Sequence, residues 1–222
     1  MDSKIKKAFQ AGIAAYAKAE QIDQVDFEKA LQAAFEKEAA FMDKVEALDQ
    51  VFDDYQSFEE LREIYFDLLM INFFVDDVQK LEEDYLDSPE WEEIEEQTID
   101  RGTELLNIFL YLNECADEDV EPSLDDYLKE FLLVEEDEFQ DEYNIYEKVI
   151  ANQILVDSTY GEIAKVAKGL GHQEELKELF YPIMSFFNEA NPSAEHLNDY
   201  AEAAPNKSLD IAVYELIVNF NK

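Results

Sequence analysis

The sequence holds one cysteine, two histidines and two arginines, and each scarcity removes a class of chemistry. A lone thiol, Cys115, cannot close an intramolecular disulfide or build a thiolate metal site. Its neighbours Glu114 and Asp117 disfavour a thiolate, so Cys115 is not read as a nucleophile. His172, in GLGHQEE, and His196, in SAEHLNDY, read as helix-end or surface residues. Neither has the Glu three positions earlier that a di-iron bundle needs; Gly169 and Ser193 stand there instead. No GxSxG, HExxH, P-loop or GxGxxG motif occurs. With five Gly and five Pro, the chain has little punctuation for hairpins or long loops. No run of eighteen apolar residues exists to span a bilayer. The first segment, MDSKIKKAFQAGIAAYAKAEQI, is interrupted by Gln10, Lys18 and Glu20, so it reads as a helix and not as a signal peptide. A free thiol without an export signal makes the cytoplasm the expected compartment.

What the sequence has in excess is acid. Its net charge is −38, on a chain that is 47% apolar and 13% aromatic. That apolar content is too high for a disordered acidic tail, so the charge rides on a chain that folds. The distribution is uneven: residues 1–48 carry net −2, residues 49–147 net −31, and residues 148–222 net −5. The stretch LEEDYLDSPEWEEIEEQ, residues 81–97, has nine acids and no Lys or Arg. A field of this sign repels nucleic acid and anionic lipid and attracts cationic proteins or divalent ions. Direct nucleic-acid binding and membrane association are therefore not expected. Added salt should stabilise the fold by screening repulsion within residues 49–147.

Hydrophobic spacing predicts helices throughout. Ile5, Ala8, Phe9, Gly12, Ile13 and Tyr16 recur at intervals of three and four, as do Phe27, Leu31, Ala34 and Phe35, continuing to Met42, Val45 and Leu48 with Glu38 as the exception. Leu124, Tyr127 and Leu128 begin another stripe, and Leu209, Ala212, Val213, Leu216, Ile217 and Phe220 make the last. Ile64 to Val75 and Leu105 to Leu112 are apolar on nearly every side, which places them centrally. Ser57 with Glu60 reads as a capping box, Ser88-Pro89 as a cap with proline at the first helical position, and Ser123 with Asp126 as a further box. Gly169 and Gly171 suit left-handed C-terminal caps, and Pro182 should kink or split its helix. The expected fold is all-α, an irregular array of about eight to ten helices around one core in a single domain, 1–222. The helices fall near 1–20, 24–50, 57–86, 89–115, 123–135, 137–157, 159–169, 173–189, 193–203 and 207–220.

Two functional readings follow. Asp117, Asp119 and Glu121 suggest a calcium loop, but an EF-hand requires Gly where Pro122 stands and Glu where Leu128 stands. Glu93-Ile-Glu-Glu96 followed by Glu114-Cys-Ala-Asp117 places each carboxylate pair on one helix face. This resembles the pattern with which all-α nucleoside triphosphate pyrophosphohydrolases hold magnesium. The resemblance implies a magnesium site at Glu93, Glu96, Glu114 and Asp117, and magnesium is expected as a cofactor under this reading alone. It covers some 25 residues and brings no phosphate-binding Lys or Arg with it. The preferred reading uses the field itself. Carboxylates on successive helix turns imitate a phosphate backbone, the principle by which nucleic-acid mimics and nuclease-immunity proteins occupy a cationic cleft. Aromatic residues interleaved with acids, Tyr85, Trp91, Phe139, Tyr143 and Tyr146, would anchor a basic protein partner within an acidic rim. The residues expected to meet that partner are Tyr85, Asp87, Glu90, Trp91, Glu92, Glu95, Glu136, Glu138, Asp141 and Tyr143. No catalytic residue is assigned.

Overall fold

The computed structural model describes residues 1–76, 80, 83–130, 133–135, 138–139, 145–174 and 176–222, with backbone alone for 83–84, 130, 133–135 and 138–139. The fold is all-α. Its elements are α1 (Ser3–Glu20), α2 (Val25–Phe35), α3 (Phe41–Asp54), the 3₁₀ helix η1 (Gln56–Leu61), α4 (Arg62–Asp76), α5 (Glu83–Leu86), α6 (Pro89–Thr98), α7 (Leu105–Glu118) and α8 (Leu124–Glu130). A two-strand antiparallel ladder follows, β1 (Leu133–Glu135) with β2 (Glu138–Phe139). The chain closes with α9 (Glu147–Ala151), the 3₁₀ helix η2 (Gln153–Asp157), α10 (Tyr160–Gly169), α11 (Lys177–Asn188), α12 (Ala194–Ala203) and α13 (Lys207–Phe220). No helix among the described residues is long and apolar enough to cross a membrane.

One hydrophobic cluster runs through the array from α1 to α13. α4 and α7 are central, as their sequences predict: Ile64 through Asn72 are buried without a break, and Leu105, Ile108, Phe109, Tyr111 and Leu112 are buried on α7. α13 is equally central, which its sequence stripe did not convey. It lies along α1 and also meets α11, α12 and α7, so Ser208, Asp210 and Tyr214 are buried together with its apolar residues. The close approach of α1 and α13 depends on Gly12. A Cβ there would lie 2.8 Å from the Tyr65 hydroxyl and 3.2 Å from Leu216 Cδ1. The Tyr65 hydroxyl instead donates to the Phe9 carbonyl at 2.7 Å, tying α4 to α1.

Several long helices expected from the sequence are broken. Residues 24–50 turn between α2 and α3, and Phe35 and Phe41, on either side of the turn, are both buried. Six residues apart, they would point about 120° from each other on one continuous helix. Ser57 and Glu60 form no capping box: residues 56–61 are a 3₁₀ turn without a side-chain cap, and its three-residue repeat buries Phe58 and Leu61 on one side. Glu60 instead accepts from the Tyr16 hydroxyl at 3.0 Å. Residues 89–115 divide at Gly102, and 123–157 yield α8, the ladder, α9 and η2 instead of two helices. The run Glu135 to Glu138 would stack like charges in a helix with no cation four residues on. Gly169 and Gly171 do not take the left-handed conformation; Gly102, Gln21 and Asp119 do. α11 runs unbroken through Pro182. The cap at Ser88-Pro89 forms as read. At Ser123 the hydroxyl accepts from the Asp126 N–H, but the Ser123 N–H donates to the Tyr111 hydroxyl and not to Asp126, so the box stays half formed. Thr159 with Glu162 makes a full one. Cys115 is a buried packing residue.

Candidate functional site

α6 presents the acidic stretch. Ile94 and Thr98 are buried and Trp91 is half-buried, so Glu90, Glu92, Glu93, Glu95 and Glu96 all face outward. Its N-terminus is built for this: the Ser88 hydroxyl accepts from the Trp91 N–H at 3.2 Å, and Glu90 and Glu92 occupy the first turn, where the helix dipole favours negative charge. Among the described residues, no ion pair reaches these five carboxylates. The four cations of residues 49–147 are all engaged. Lys129 pairs with Asp125, Lys80 lies 3.9 Å from the Phe73 ring centroid, and Arg62 and Arg101 meet on Asp49.

That arginine pair is held by several carboxylates at once. Arg101 forms a fork on Asp49, with Nη1 and Nη2 each 3.0 Å from one carboxylate oxygen, and its Nε lies 3.1 Å from both oxygens of Glu63. Arg62 reaches the same Asp49 at 3.2 Å, Asp53 at 2.7 Å and both oxygens of Glu59 at 2.9 Å. Bidentate guanidinium–carboxylate geometry of this kind fixes both partners and is not available to lysine. The two guanidiniums also lie over apolar rings, Arg101 over Phe66 at 4.7 Å and Arg62 over Phe52 at 5.6 Å. The chain's only two arginines thus knit α3, η1 and α4 to the 99–104 segment.

Beneath them the segment is held by a buried carboxyl. Asp67 is 1% exposed and accepts from the Thr103 N–H at 2.9 and 3.0 Å and from the Thr103 hydroxyl. Burial drives this carboxyl well above the usual range, against the opposing effect of the Thr103 donors. The Gly102 N–H donates to Glu63 at 2.7 Å. Gly102 has φ +82°, which brings its α-carbon against Asp67 and Phe66. A side chain there would have no room.

The result is a cleft of about 670 Å³ running on from the end of α6, with Ile99 and Asp100 on its wall. Six carboxylates line it, from Glu59, Glu60, Glu63, Asp100, Glu104 and Glu178, against the two arginines, leaving net −4. Four of the six are positioned by donors already described or nearby. Glu104 accepts from the Tyr146 hydroxyl at 2.7 Å and from Asn107 at 2.9 Å. Asp100 and Glu178 have no hydrogen bond or ion pair among the described residues. Ile64, Leu179 and Leu209 supply apolar wall, and Ile99 is 77% exposed beside the opening.

The residues predicted from the sequence divide as follows. Asp87, Glu90, Glu92 and Glu95 are exposed and lie on or beside α6. Trp91 and Tyr85 are half-buried, their rings 6.3 Å apart, with Trp91 5.3 Å from Phe74 and Tyr85 6.4 Å from Phe73. They are therefore partly core. Tyr146 is wholly core, hydrogen-bonded to Tyr127 at 2.6 Å, and cannot anchor a partner. Glu138 and Phe139 are described by backbone alone; Glu136, Asp141 and Tyr143 lie outside the described residues. Glu93, Glu96, Glu114 and Asp117 are exposed on α6 and α7, and the fold does not gather them. Among the described residues no three His, Cys, Asp or Glu side chains are placed to share a metal ion. The magnesium pattern is therefore a feature of spacing along the chain without a counterpart in space. Sequence reading missed the cleft, although the restriction of arginine to two positions inside the most acidic segment was a visible signal.

These features define an acidic all-α protein whose outward carboxylates adjoin a preorganised anionic cleft. Comparisons with family models, with curated proteins and with solved structures found no match.

The electrostatics predict a salt effect. Five glutamates on one ten-residue helix, none in an ion pair among the described residues, repel one another, and screening relieves this. Melting temperature should rise by roughly 3–6 °C between low and moderate NaCl. A flat or falling melting curve would mean that bound cations already neutralise the surface.

Proposed function

We propose that the protein is a binding module that presents α6 and the adjoining cleft to a basic protein. The observation that carries this reading is the run of outward glutamates without cation partners among the described residues, continuing into a net-negative cleft beside an exposed isoleucine. Such a surface draws a cationic partner electrostatically and speeds encounter. The cleft carboxylates are held in place before binding by Arg62, Arg101, Tyr16 and Tyr146, so a lysine or arginine side chain entering there orders little of the protein. Ile99 supplies the desolvated contact that charge alone does not give. Glutamates on successive turns of α6 also stand in for phosphates, so the class of partner we infer is a protein with a cationic nucleic-acid-binding surface.

Immobilised wild type and a Glu92→Lys/Glu95→Lys/Glu96→Lys variant, compared on the native lysate with a salt gradient, test this. Wild type should retain basic proteins that leave at moderate salt and that compete with added nucleic acid; the variant should lose them. Retention of the same proteins by both would remove α6 from the interface. Retention insensitive to nucleic acid would leave a basic partner but discard mimicry.

A further inference from the structure

We propose that a small pocket beside the start of α6 receives one large apolar side chain of the partner, aromatic or leucine, flanked by the partner's basic residues. This names the anchor of the docking surface proposed above and rests on that reading. The pocket holds about 250 Å³ and is formed by the α2–α3 turn, the first turn of α3, the end of α4, Lys80 and the first turn of α6.

Helical spacing builds its wall. Leu69, Asn72, Phe73 and Asp76 fall at i, i+3, i+4 and i+7 on α4 and so share one face. Phe41 and Lys44 come from α3, and the small side chains of Ala39 and Ala40 leave the space open. The Phe41 and Phe73 rings pack 4.7 Å apart, and Tyr85 continues the aromatic run from Phe73 to Trp91.

The polar members of the wall are engaged with the protein itself. Lys44 Nζ donates to the Phe35 carbonyl at 3.4 Å, and Lys80 Nζ lies over the Phe73 ring. Asp76 accepts from Asn72 Nδ2 at 2.9 Å, and Asn72 Oδ1 accepts from the Asp2 N–H at 3.2 Å. Two lysines, Asp76 and Glu90 leave the lining without net charge. What the pocket offers an occupant is therefore apolar surface. Its volume is below the roughly 300–1,000 Å³ of small-molecule sites. An apolar cavity of about 150 Å³ accepts benzene, so this one has room for a single large side chain.

The rim sets the charge of the flanking residues. Glu90 is exposed and has no hydrogen bond or ion pair among the described residues, and Asp87, Glu92 and Glu93 are exposed close by in the chain. A cationic segment drawn to these carboxylates brings its apolar side chain over the pocket. A desolvated anchor within a charged rim is the arrangement that gives both fast encounter and slow release.

Two capped nonapeptides test the proposal, with four lysines on each side of a central phenylalanine or of a central alanine. Binding is followed by calorimetry and by the fluorescence of Trp91, the chain's only tryptophan. Wild type should bind the phenylalanine peptide at least tenfold more tightly than the alanine peptide. Ala40→Leu fills the pocket from an exposed position that makes no side-chain cap bond. It should erase that ratio and leave the affinity for the alanine peptide unchanged. Glu92→Lys/Glu95→Lys/Glu96→Lys should weaken both peptides and keep the ratio. Equal, salt-sensitive binding of the two peptides by wild type overturns the pocket and leaves the docking surface standing, as does a ratio that survives Ala40→Leu. A ratio lost in Ala40→Leu, on affinities that neither salt nor charge reversal changes, would keep an apolar pocket and discard the basic partner. N-acetylphenylalanine amide binding as tightly as the basic peptide would do the same. Failure of wild type to bind either peptide overturns both readings.

Discussion

Replacing Gly102 by alanine is expected to destabilise the protein by about 2–4 kcal/mol, lowering its melting temperature by roughly 5–15 °C. Two independent costs combine. At φ +82° an L side chain is strained, at about 1 kcal/mol relative to glycine. The new Cβ would also run into the Asp67 carboxylate and come within 3.2–3.4 Å of the Phe66 ring. Neither neighbour can withdraw. Asp67 is fixed by Thr103, and Phe66 is buried beneath the Arg101 guanidinium. Shifting the segment would detach Arg101 from Asp49 and Glu63 and open the cleft. Gly169→Ala is the control: nothing lies within 4 Å of a Cβ there, and the residue ends α10 without a positive φ. It should be neutral or stabilising by up to about 1 kcal/mol, since alanine restricts the unfolded chain and favours the helix. Equal melting temperatures for the two variants would show that the 99–104 segment is not held as described.

Acidification is expected to stabilise the protein. Asp67 and Asp210 are both buried, and burial raises both carboxyls, to about 7 for Asp210. A carboxyl whose folded pKa exceeds its unfolded value binds more protons when folded. Stability therefore falls as pH rises between the unfolded value near 4 and the folded one. For Asp210 alone, going from pH 8 to about 5.5 adds on the order of 2 kcal/mol, and Asp67 acts in the same direction. Loss of net charge adds to both. Glu162 opposes only at lower pH: its carboxyl is depressed by the Thr159 donors, so its contribution is lost as pH falls below the ordinary glutamate range. Melting temperature should thus rise from pH 8 to about 5.5, by several degrees, and Asp67→Asn with Asp210→Asn should flatten the curve. A fall over that interval would mean that these carboxyls stay ionised with partners not seen here.

The sequence made the helical class readable because apolar residues recur at three and four, and because Ser88-Pro89 and Ser123 with Asp126 mark true helix starts. It made the interruptions less readable. Glu38 interrupting the stripe from Phe27 to Leu48 was the mark of the turn between α2 and α3, yet one charged residue inside a helical period is also tolerated on a continuous helix. Gly102 gave no hint of its conformation because the demand for it comes from Asp67 and Glu63, more than thirty residues away. The acidic face of α6 was legible from Glu90 to Glu96, where local spacing fixes which side chains turn outward. The cleft was not, since it joins residues 59–64 to 99–104, 178–179 and 209. The same dependence on distant packing explains why Glu93, Glu96, Glu114 and Asp117 share a spacing but no site, and why Tyr146 lies in the core under Glu104 instead of at the surface.

The measurement that bears most directly on the docking surface is the dissociation constant of one captured basic protein at low and moderate salt, for wild type and for the α6 charge-reversal variant. Wild type should bind at least tenfold more weakly at the higher salt, and the variant should bind poorly at both. Equal affinities for the two proteins, unchanged by salt, would place the partner elsewhere and leave the glutamates of α6 with solubility as their sole role.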